Sequence, residues 1–447
     1  MSRRFHRRVP TVLVSVLLLL LAACGGGEGE SGEDTAGGAS PEATGGDGGG
    51  EAAGGVGPID IWYSNNPEEI EWGEAVVEAW NSENSDQQVT AQEIPAGESS
   101  EEVIRAAITA GNAPCLIYNT APAAVPSFNR AGGLVALDQF DGARELIEER
   151  LGDVASQYQS EDGQFHQFPW KANPVMILYN KDLFEEAGLD PENPPLSTHD
   201  EFLETSRTLV EQGVAEAAIY PAPTSQFFQS WFDFYPWFAA ETGGQQLVED
   251  GEPQFNSEAG LAVANTWKTL YDEGLAPREE YQGDAFADGV SAMSSAGPWA
   301  VAIYGDVNWG VVPPPTSQGT GSEEVYTFSD GKSVGLYTAC ENQQTAWDFL
   351  AFSMSEENDQ ALLETTGQMP MRQDLLDAFP DFFEQNAQYE IFAQQVDRVV
   401  EVPYLPSSIE MWQTFRDAWS SSVIFGEQEV EPAMEDAANA VADLVQG

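Results

Sequence analysis

Hydrophobic positions between residues 59 and 118 follow two alternating patterns, and each pattern predicts one kind of element. Short apolar runs at residues 59–63, 88–94 and 115–118 are typical of buried strands. The stretches between these runs repeat apolar residues at helical spacing. Strands that alternate with helices in this way predict an α/β domain built on a parallel sheet.

Capping signals indicate where the helices between these strands begin and end. Asn66 followed by Pro67 is typical of a helix start, because the asparagine oxygen accepts backbone N–H groups and proline suits the first turn. Ser99 and Glu102 have the spacing of a capping box for the second helix. Gly111 follows the last apolar position and predicts the end of that helix.

Polar residues follow each predicted strand. In open parallel sheets, ligands bind beyond the carboxyl ends of the strands. The candidate ligand-binding residues at these ends are Asn65, Asn66, Glu98, Asn119 and Thr120. The alternative is that these short polar side chains only form turns and helix caps.

Aromatic residues are concentrated at residues 227–238, where eight of the twelve side chains are aromatic. Helical spacing distributes these rings over more than one face, so most are predicted to be core and one or two to line a cleft. Rings in a cleft stack on the apolar faces of sugars, while polar neighbours bond the hydroxyl groups.

Composition limits the classes of function. The 447 residues include 74 acidic and 17 basic side chains, which gives a formal net charge of −57. A nucleic-acid-binding protein needs a basic face to neutralise phosphate, and this chain has little material for one. Hydrophobic residues make up 42% of the chain, which is enough for large cores despite the charge.

The N-terminal residues are predicted to export and tether the protein rather than to fold. Residues 1–23 combine four arginines with an apolar run, as in a signal peptide. The residues before Cys24 resemble a bacterial lipobox, in which that cysteine is lipidated; the alternative is an ordinary signal peptide. Residues 24–57 are predicted to be the lipidated cysteine and a flexible tether, because 15 of the 33 residues after Cys24 are glycine. We therefore expect the protein on the extracellular face of the cell membrane, held by its lipid.

Several segments further along the chain carry short motifs in a fixed order. They are Phe168-Pro169-Trp170-Lys171, residues 178–184 and 187–189, residues 286–293, Gly297-Pro298-Trp299-Ala300, residues 310–313 and residues 333–339. The motifs follow a lipobox and a tether in the sequence. Taken together, this ordered set resembles the family 1 extracellular solute-binding proteins of ABC importers, the group that contains maltose-binding protein.

The resemblance implies an α/β bilobal periplasmic-binding-protein fold of type II, with a ligand cleft between two hinged lobes. It implies crossovers near residues 169–173, 326–333 and 367–372. The expected N-terminal lobe is residues 58–170 plus 330–370, and the expected C-terminal lobe is residues 171–329 plus 371–447.

The resemblance also implies ligand-binding residues. Trp299 matches a ring that stacks on the solute, and Asn119 and Asn173 match polar cleft positions. Segments that reach the cleft in relatives contain Trp231, Phe232, Tyr235 and Trp412. Asn119 is not aromatic and Asn173 is not acidic, which departs from maltose-binding protein and puts the same sugar in doubt.

A disulfide between Cys115 and Cys340 is also implied by the resemblance. In the family's fold the strand near residues 333–340 runs antiparallel beside the strand at residues 115–119. These cysteines are the two that remain once Cys24 is lipidated, and the extracellular compartment is oxidising. The alternative is a pair of buried free thiols.

The function implied is capture of a small solute, most simply a sugar or oligosaccharide, by lobe closure and its delivery to the membrane subunits of an ABC permease. We expect a monomer that binds no nucleic acid, cofactor or metal, since the histidines are scattered and no phosphate-binding loop or nucleophile motif is present. The alternatives are a binding protein for a cationic solute such as a polyamine and a surface-anchored glycoside hydrolase.

Cleavage of the signal peptide makes the charge more extreme. Loss of residues 1–23 leaves 13 basic residues against 74 acidic ones. We expect a solvated acidic shell suited to high salt, because unscreened repulsion destabilises a compact state. The alternative is an ordinary acidic protein.

Overall fold

The structure is a computed structural model that describes residues 54–446 apart from Asn65, Glu98 and Ala222. The predicted signal peptide, Cys24 and most of the predicted tether lie outside the described residues, as do the candidate site residues Asn65 and Glu98. No helix in the described part of the chain combines the length and apolarity needed to cross a membrane.

The strands and helices alternate along most of the chain. The strands are β1 (Ile59–Tyr63), β2 (Val89–Glu93), β3 (Leu116–Thr120), β4 (Phe168–Ala172), β5 (Met176–Asn180), β6 (Ala217–Ile219), β7 (Val248–Glu249), β8 (Glu252–Pro253), β9 (Ser291–Ala296), β10 (Trp309–Val312), β11 (Thr327–Phe328), β12 (Lys332–Leu336), β13 (Met369–Pro370) and β14 (Val399–Val400). The α-helices are α1 (Pro67–Glu83), α2 (Ser100–Ala110), α3 (Val125–Arg130), α4 (Ala143–Leu151), α5 (Lys181–Glu186), α6 (His199–Glu211), α7 (Phe234–Thr242), α8 (Glu258–Asp272), α9 (Ala300–Ile303), α10 (Gln343–Ser353), α11 (Glu356–Thr366), α12 (Leu375–Ala378), α13 (Pro380–Gln385), α14 (Glu390–Gln395), α15 (Ser408–Trp419) and α16 (Val430–Gln446).

The helix ends follow the local chemistry of the sequence. Asn66 caps α1 by accepting the backbone N–H groups of Glu68 and Glu69 at 2.9 and 3.3 Å. Ser99 accepts the N–H of Glu102 at 3.2 Å, which is one half of the predicted capping box. Gly111 ends α2 with a φ of 67°, a left-handed conformation that a residue without a Cβ adopts at no steric cost.

The first lobe is built on a six-stranded sheet with the order β13-β4-β12-β3-β1-β2. β1 runs parallel to β2 and β3, which confirms the parallel arrangement predicted from the alternating pattern. β12 pairs antiparallel with β3, so that Ser333 lies opposite Thr120 and Leu336 opposite Leu116. The structure contains the disulfide between Cys115, directly before β3, and Cys340, shortly after β12.

The second lobe is built on a four-stranded sheet with the order β10-β5-β9-β6. β5 is antiparallel to both of its neighbours, whereas β6 is parallel to β9. Its core contains the fully buried rings of Trp237, Trp267 and Trp419 from α7, α8 and α15. Most of the aromatic residues at 227–238 are therefore core, as their spacing predicted.

The chain passes between the lobes at three places within the described residues. The first crossover lies at residues 173–175, between β4 and β5, and the second lies at residues 329–331, just before β12. They lie side by side, because Pro174 bridges to Ser329 and the N–H of Asp330 donates to the carbonyl of Asn173 at 3.0 Å.

The third crossover differs from the expectation at residues 367–372. After β13 the chain stays on the first lobe, where the N–H of Gln373 donates to the carbonyl of Arg150 at 2.8 Å. Helices α12, α13 and α14 bury their apolar side chains in the core of that lobe. The chain leaves it at β14, which pairs with β11. Residues 371–398 thus belong to the first lobe, and the crossover lies at residues 399–402.

Candidate ligand-binding cleft

A cavity of about 510 Å³ lies between the lobes, and each lobe supplies one wall. The first-lobe wall is the start of α2, and the second-lobe wall combines the segment before α7 with the first turns of α15. Asp330 of the second crossover, Lys332 at the start of β12 and Ala121 after β3 complete the lining. The side chains that line it include Ser99, Glu101, Glu102, Arg105, Phe227, Phe228, Trp231, Phe232, Asp330, Lys332, Ile409, Glu410 and Gln413.

The second-lobe wall is aromatic. Phe227 and Phe228 each meet Trp231, with ring centroids 5.5 and 6.2 Å apart. Phe228 is 38% exposed, which is unusual for so large an apolar side chain in this protein. Phe232 is half-buried and its ring meets that of Trp299 edge-on, with centroids 6.1 Å apart. This wall offers stacking surface to a ligand in the cavity.

An ion pair between Asp330 of the second crossover and Lys332 at the start of β12 contributes to the charged part of the lining. Lys332 Nζ lies 2.5 Å from Asp330 Oδ1, and both side chains are about four-fifths buried. Burial alone would lower the pKa of Lys332, but the charge and hydrogen bond of Asp330 outweigh burial and hold that pKa above its ordinary value. Lys332 therefore remains a cation at the cavity.

A second cavity of about 340 Å³ adjoins the first and shares Phe228 and Phe232 with it. Its polar lining includes Gln229, Asp233 and Ser295, and the Ser295 hydroxyl is buried with no partner among the described residues. Because all of its lining residues belong to the second lobe, we call it the inner chamber.

The carboxylate of Asp233 is the most unusual group of the inner chamber. It accepts hydrogen bonds from Trp419 Nε1 at 3.0 Å, from Gln229 Nε2 at 3.2 Å and from the N–H of Phe234 at 2.5 Å. Burial nevertheless dominates and raises the pKa of Asp233 to about 7. The group is therefore poised between an acceptor-only carboxylate and a carboxylic acid that can donate.

The described strand-end candidates of the first lobe, Asn66, Asn119 and Thr120, line neither cavity in this arrangement of the lobes. Asn66 is engaged as the cap of α1, and Thr120 is buried with its hydroxyl 3.3 Å from the carbonyl of Ile117. For these two residues the structural alternative, turns and caps, accounts for the contacts.

Asn119 differs from Asn66 and Thr120, because turns and caps do not account for its conformation and contacts. It has a φ of 56°, an uncommon conformation for a residue other than glycine, and such strain concentrates at functional sites. Its Nδ2 donates to Ser64 Oγ at 3.3 Å, whereas its Oδ1 is buried with no partner among the described residues. Asn119 thus has an unused acceptor at the carboxyl end of β3.

Asn173 lies in the hinge rather than in the cleft lining. Its N–H donates to Ser329 Oγ at 3.0 Å, and its Nδ2 donates to the carbonyl of Asp330 at 3.1 Å and to Gln368 Oε1 at 3.3 Å. The side chain therefore ties the first crossover to the second.

The structure places Tyr235 and Trp412 in the core of the second lobe instead of on the cleft surface. Both side chains are fully buried, and their ring centroids lie 5.0 Å apart. Tyr235 uses its hydroxyl to donate to the carbonyl of Glu401 at 2.7 Å, while Trp412 lies 5.8 Å from Trp231. These rings support the aromatic wall from within. Trp299 is half-buried, lines neither cavity and meets the aromatic wall through its edge-on contact with Phe232.

Sequence reasoning missed Asp233, Asp330 and Lys332. Two signals could have found them. Lys332 is one of just four lysines in a very acidic chain, and Asp233 is the only charged residue within the aromatic stretch at residues 227–238. No group of three or more His, Cys, Asp or Glu side chains in the described ranges is arranged to hold a metal ion.

Two α/β lobes, three crossovers and an aromatic-walled cavity between the lobes define a bilobal ligand-capturing protein. The fold is the type II periplasmic-binding-protein fold: the cyclic α-maltosyl-1,6-maltose-binding protein of Arthrobacter globiformis superposes with a TM-score of 0.75 at 21% identity, covering 88% of this chain and 100% of that one. The chain belongs to the family of bacterial extracellular solute-binding proteins, whose model matches residues 75–391.

Curated relatives belong to the same class. The chain is 21% identical over 355 residues to the maltodextrin-binding protein MdxE of Bacillus subtilis, covering 75% of this chain and 78% of the relative. It is 25% identical over 266 residues to the diacetylchitobiose-binding protein DasA of Streptomyces coelicolor, covering 56% of this chain and 59% of the relative. The resemblance found in the sequence is thus confirmed for the family and the fold.

Proposed function

We propose that this protein captures a sugar or oligosaccharide by lobe closure, while anchored to the extracellular face of the membrane through lipidated Cys24, and delivers it to an ABC permease. The observation that carries the proposal is the interlobe cavity with its aromatic wall. A saccharide presents apolar ring faces and polar edges, and this lining offers surfaces for both.

The polar groups of the cavity suit hydroxyl recognition. Asp330 and Lys332 neutralise each other as an ion pair, so together they offer both an acceptor and a donor without a net charge. Gln413 supplies an amide from α15. The volume of about 510 Å³ is within the usual range for small-ligand sites, and the inner chamber adds about 340 Å³. This space favours an oligosaccharide over a single sugar ring.

The ligands of similar proteins support a carbohydrate as the solute. By their names, MdxE binds maltodextrin, DasA binds diacetylchitobiose, and the Arthrobacter protein, whose fold this chain shares, binds a cyclic maltosyl-maltose.

A cationic solute is the second candidate, because four carboxylates line the cleft against two cations. The acidic side chains are Glu101, Glu102, Asp330 and Glu410, whereas Arg105 and Lys332 are the basic ones. Spermidine, whose ammonium groups are attracted by carboxylates and aromatic faces, represents this class.

A thermal-shift screen tests the proposal. The full chain is unfolded in the presence of maltotriose, maltoheptaose, diacetylchitobiose and spermidine. A bound sugar at 100 times its dissociation constant stabilises the fold by about 2.7 kcal/mol. Stabilisation by spermidine alone would transfer the proposal to the cationic class. Chromatography of the same mixtures detects cleaved sugars, which a hydrolase would release and a binding protein would not.

A pair of phenylalanine variants locates the site. Phe232→Ala removes one of the two rings that both cavities share and is expected to weaken sugar binding at least tenfold. Phe425→Ala is the matched control, because Phe425 is 51% exposed and lines neither cavity. Equal affinities of the two variants would contradict binding at the aromatic wall.

A further inference from the structure

The third crossover contains a carboxylic acid that nothing in the proposed binding role uses. Glu401 follows β14 directly and is 2% exposed. Its backbone N–H donates to Gln157 Oε1 of the first lobe at 2.8 Å. Its backbone carbonyl accepts from Tyr235 Oη at 2.7 Å and from Gln246 Nε2 at 3.1 Å, both in the second lobe. One residue therefore joins both lobes at the hinge.

The side chain of Glu401 is enclosed by the same junction. Its Oε2 accepts from Tyr158 Oη of the first lobe at 3.1 Å, and its Oε1 accepts from the N–H of Val402 at 2.8 Å. A Cβ on Gly331 would lie 3.1 Å from Glu401 Oε2, so the backbone of the second crossover packs directly against the carboxyl group. Any rotation at these crossovers changes the surroundings of this group.

Few charges compensate this burial. The titratable groups that face Glu401 are Tyr158 of the first lobe, Tyr235 of the second lobe, and Asp330 and Lys332 of the second crossover. Burial dominates and raises the pKa of Glu401 to about 8. The hydrogen bonds from Val402 and Tyr158 and the charge of Lys332 lower this pKa but do not outweigh burial, and the charge of Asp330 raises it further. In this arrangement the carboxyl group is protonated at neutral pH.

We propose that Glu401 is a proton-linked latch of the hinge, so that pH sets the balance between this arrangement of the lobes and arrangements in which its carboxyl group reaches water. This regulation acts on the cleft and rests on the proposed function for its biological meaning. A hydrated glutamic acid ionises near pH 4.3, so proton uptake accompanies burial between about pH 5 and 8. Within that window, each pH unit changes the ratio of the two arrangements by up to about tenfold, and rising pH disfavours the buried one.

Hydrogen exchange of the full, solute-free chain tests the latch between pH 6 and 9. Exchange in peptides that span residues 326–333 and 399–403 is divided by exchange in a reference peptide from α8, which cancels the intrinsic effect of pH. We expect the crossover peptides of the wild type to lose protection as the pH rises from 6 and to reach a plateau near pH 8, above which Glu401 is ionised in both arrangements. Glu401→Gln cannot ionise and is expected to keep protection throughout.

Two further variants keep the test decisive. Tyr158→Phe removes the hydroxyl that favours the ionised form, so its loss of protection is expected to level off at higher pH than that of the wild type, even if Glu401→Gln fails to fold. Glu390→Gln, an exposed change in the neighbouring segment, is expected to match the wild type. A pH-independent wild type, or a plateau at the same pH in Tyr158→Phe as in the wild type, would overturn the latch. Because no solute is present, these outcomes are independent of the sugar screen.

Discussion

The buried ion pair between Arg150 and Asp359 offers a sharp test of how the first lobe is held together. Arg150 Nη1 and Nη2 lie 2.5 and 2.9 Å from the two oxygens of Asp359, and Arg372 Nη1 lies 3.1 Å from Oδ2. The Arg150 and Asp359 side chains are 5% and 2% exposed. The cluster joins α4 and α11 to the start of the segment at residues 371–398. The cluster therefore fastens residues 371–398, which the sequence predicted in the second lobe but which belong to the first.

The expected cost of breaking this pair follows from its burial. Asp359→Asn preserves the shape of the side chain but removes its negative charge, so the buried Arg150 guanidinium keeps only neutral acceptors: the asparagine Oδ1 and the carbonyl of Met354 at 2.8 Å. Removal of one partner from a buried pair costs about 3–5 kcal/mol, because the remaining charge is uncompensated. We expect a loss of this size in the free energy of unfolding.

The chain supplies a matched control with the same chemistry at the surface. Arg207 contacts both oxygens of Glu273 at 2.6 and 2.8 Å, but the two side chains are 37% and 40% exposed. Glu273→Gln is therefore expected to cost no more than about 1 kcal/mol. Urea titrations at pH 7 in 0.1 and 1 M NaCl measure both variants. Salt should reduce the small effect of Glu273→Gln and leave that of Asp359→Asn nearly unchanged. Equal losses for the two variants would refute the role assigned to burial.

Three other predictions follow from the disulfide, the lipid anchor and the charge. Reduction of the Cys115–Cys340 disulfide should lower stability by about 2–4 kcal/mol, measured by thermal unfolding with and without reductant, whereas the double serine variant should not respond to reductant. An unchanged melting temperature on reduction would argue against a stabilising disulfide. Cys24→Ala should abolish incorporation of labelled fatty acid and release the protein from the membrane fraction, and retention of the label would exclude this lipidation site. Stability should rise between 0.05 and 2 M salt as repulsion in the acidic shell is screened, and a flat profile would contradict a requirement for high salt.

Local chemistry explains which parts of the fold were predictable. The cap at Asn66 and the helix end at Gly111 depend on backbone groups within a few residues, so the sequence pattern carries all the information needed. The third crossover was misplaced because an amphipathic helix shows the same pattern whichever lobe it packs against. Contacts such as Gln373 with Arg150 decide the lobe, and they join residues more than 200 positions apart.

The candidate site also combines features that the sequence indicates with features that only long-range contacts decide. The aromatic stretch at residues 227–238 indicated where a stacking wall would come from, but spacing could not separate the exposed Phe228 from the buried Tyr235. Which ring faces the cleft depends on what covers the others, and α15 supplies Trp412 as part of that cover. The cleft pair of Asp330 and Lys332 was missed because a crossover has no periodic pattern that marks its residues.

The sequence by itself determined the alternating α/β elements, the strong negative charge and the family to which the chain belongs, because these follow from residue types and their spacing. Only the tertiary structure decided which rings form the cleft wall, where the chain finally leaves the first lobe, and that Glu401 is enclosed at the hinge with its pKa raised to about 8. The physical reason is that burial, and with it desolvation, is set by long-range contacts that no local pattern encodes.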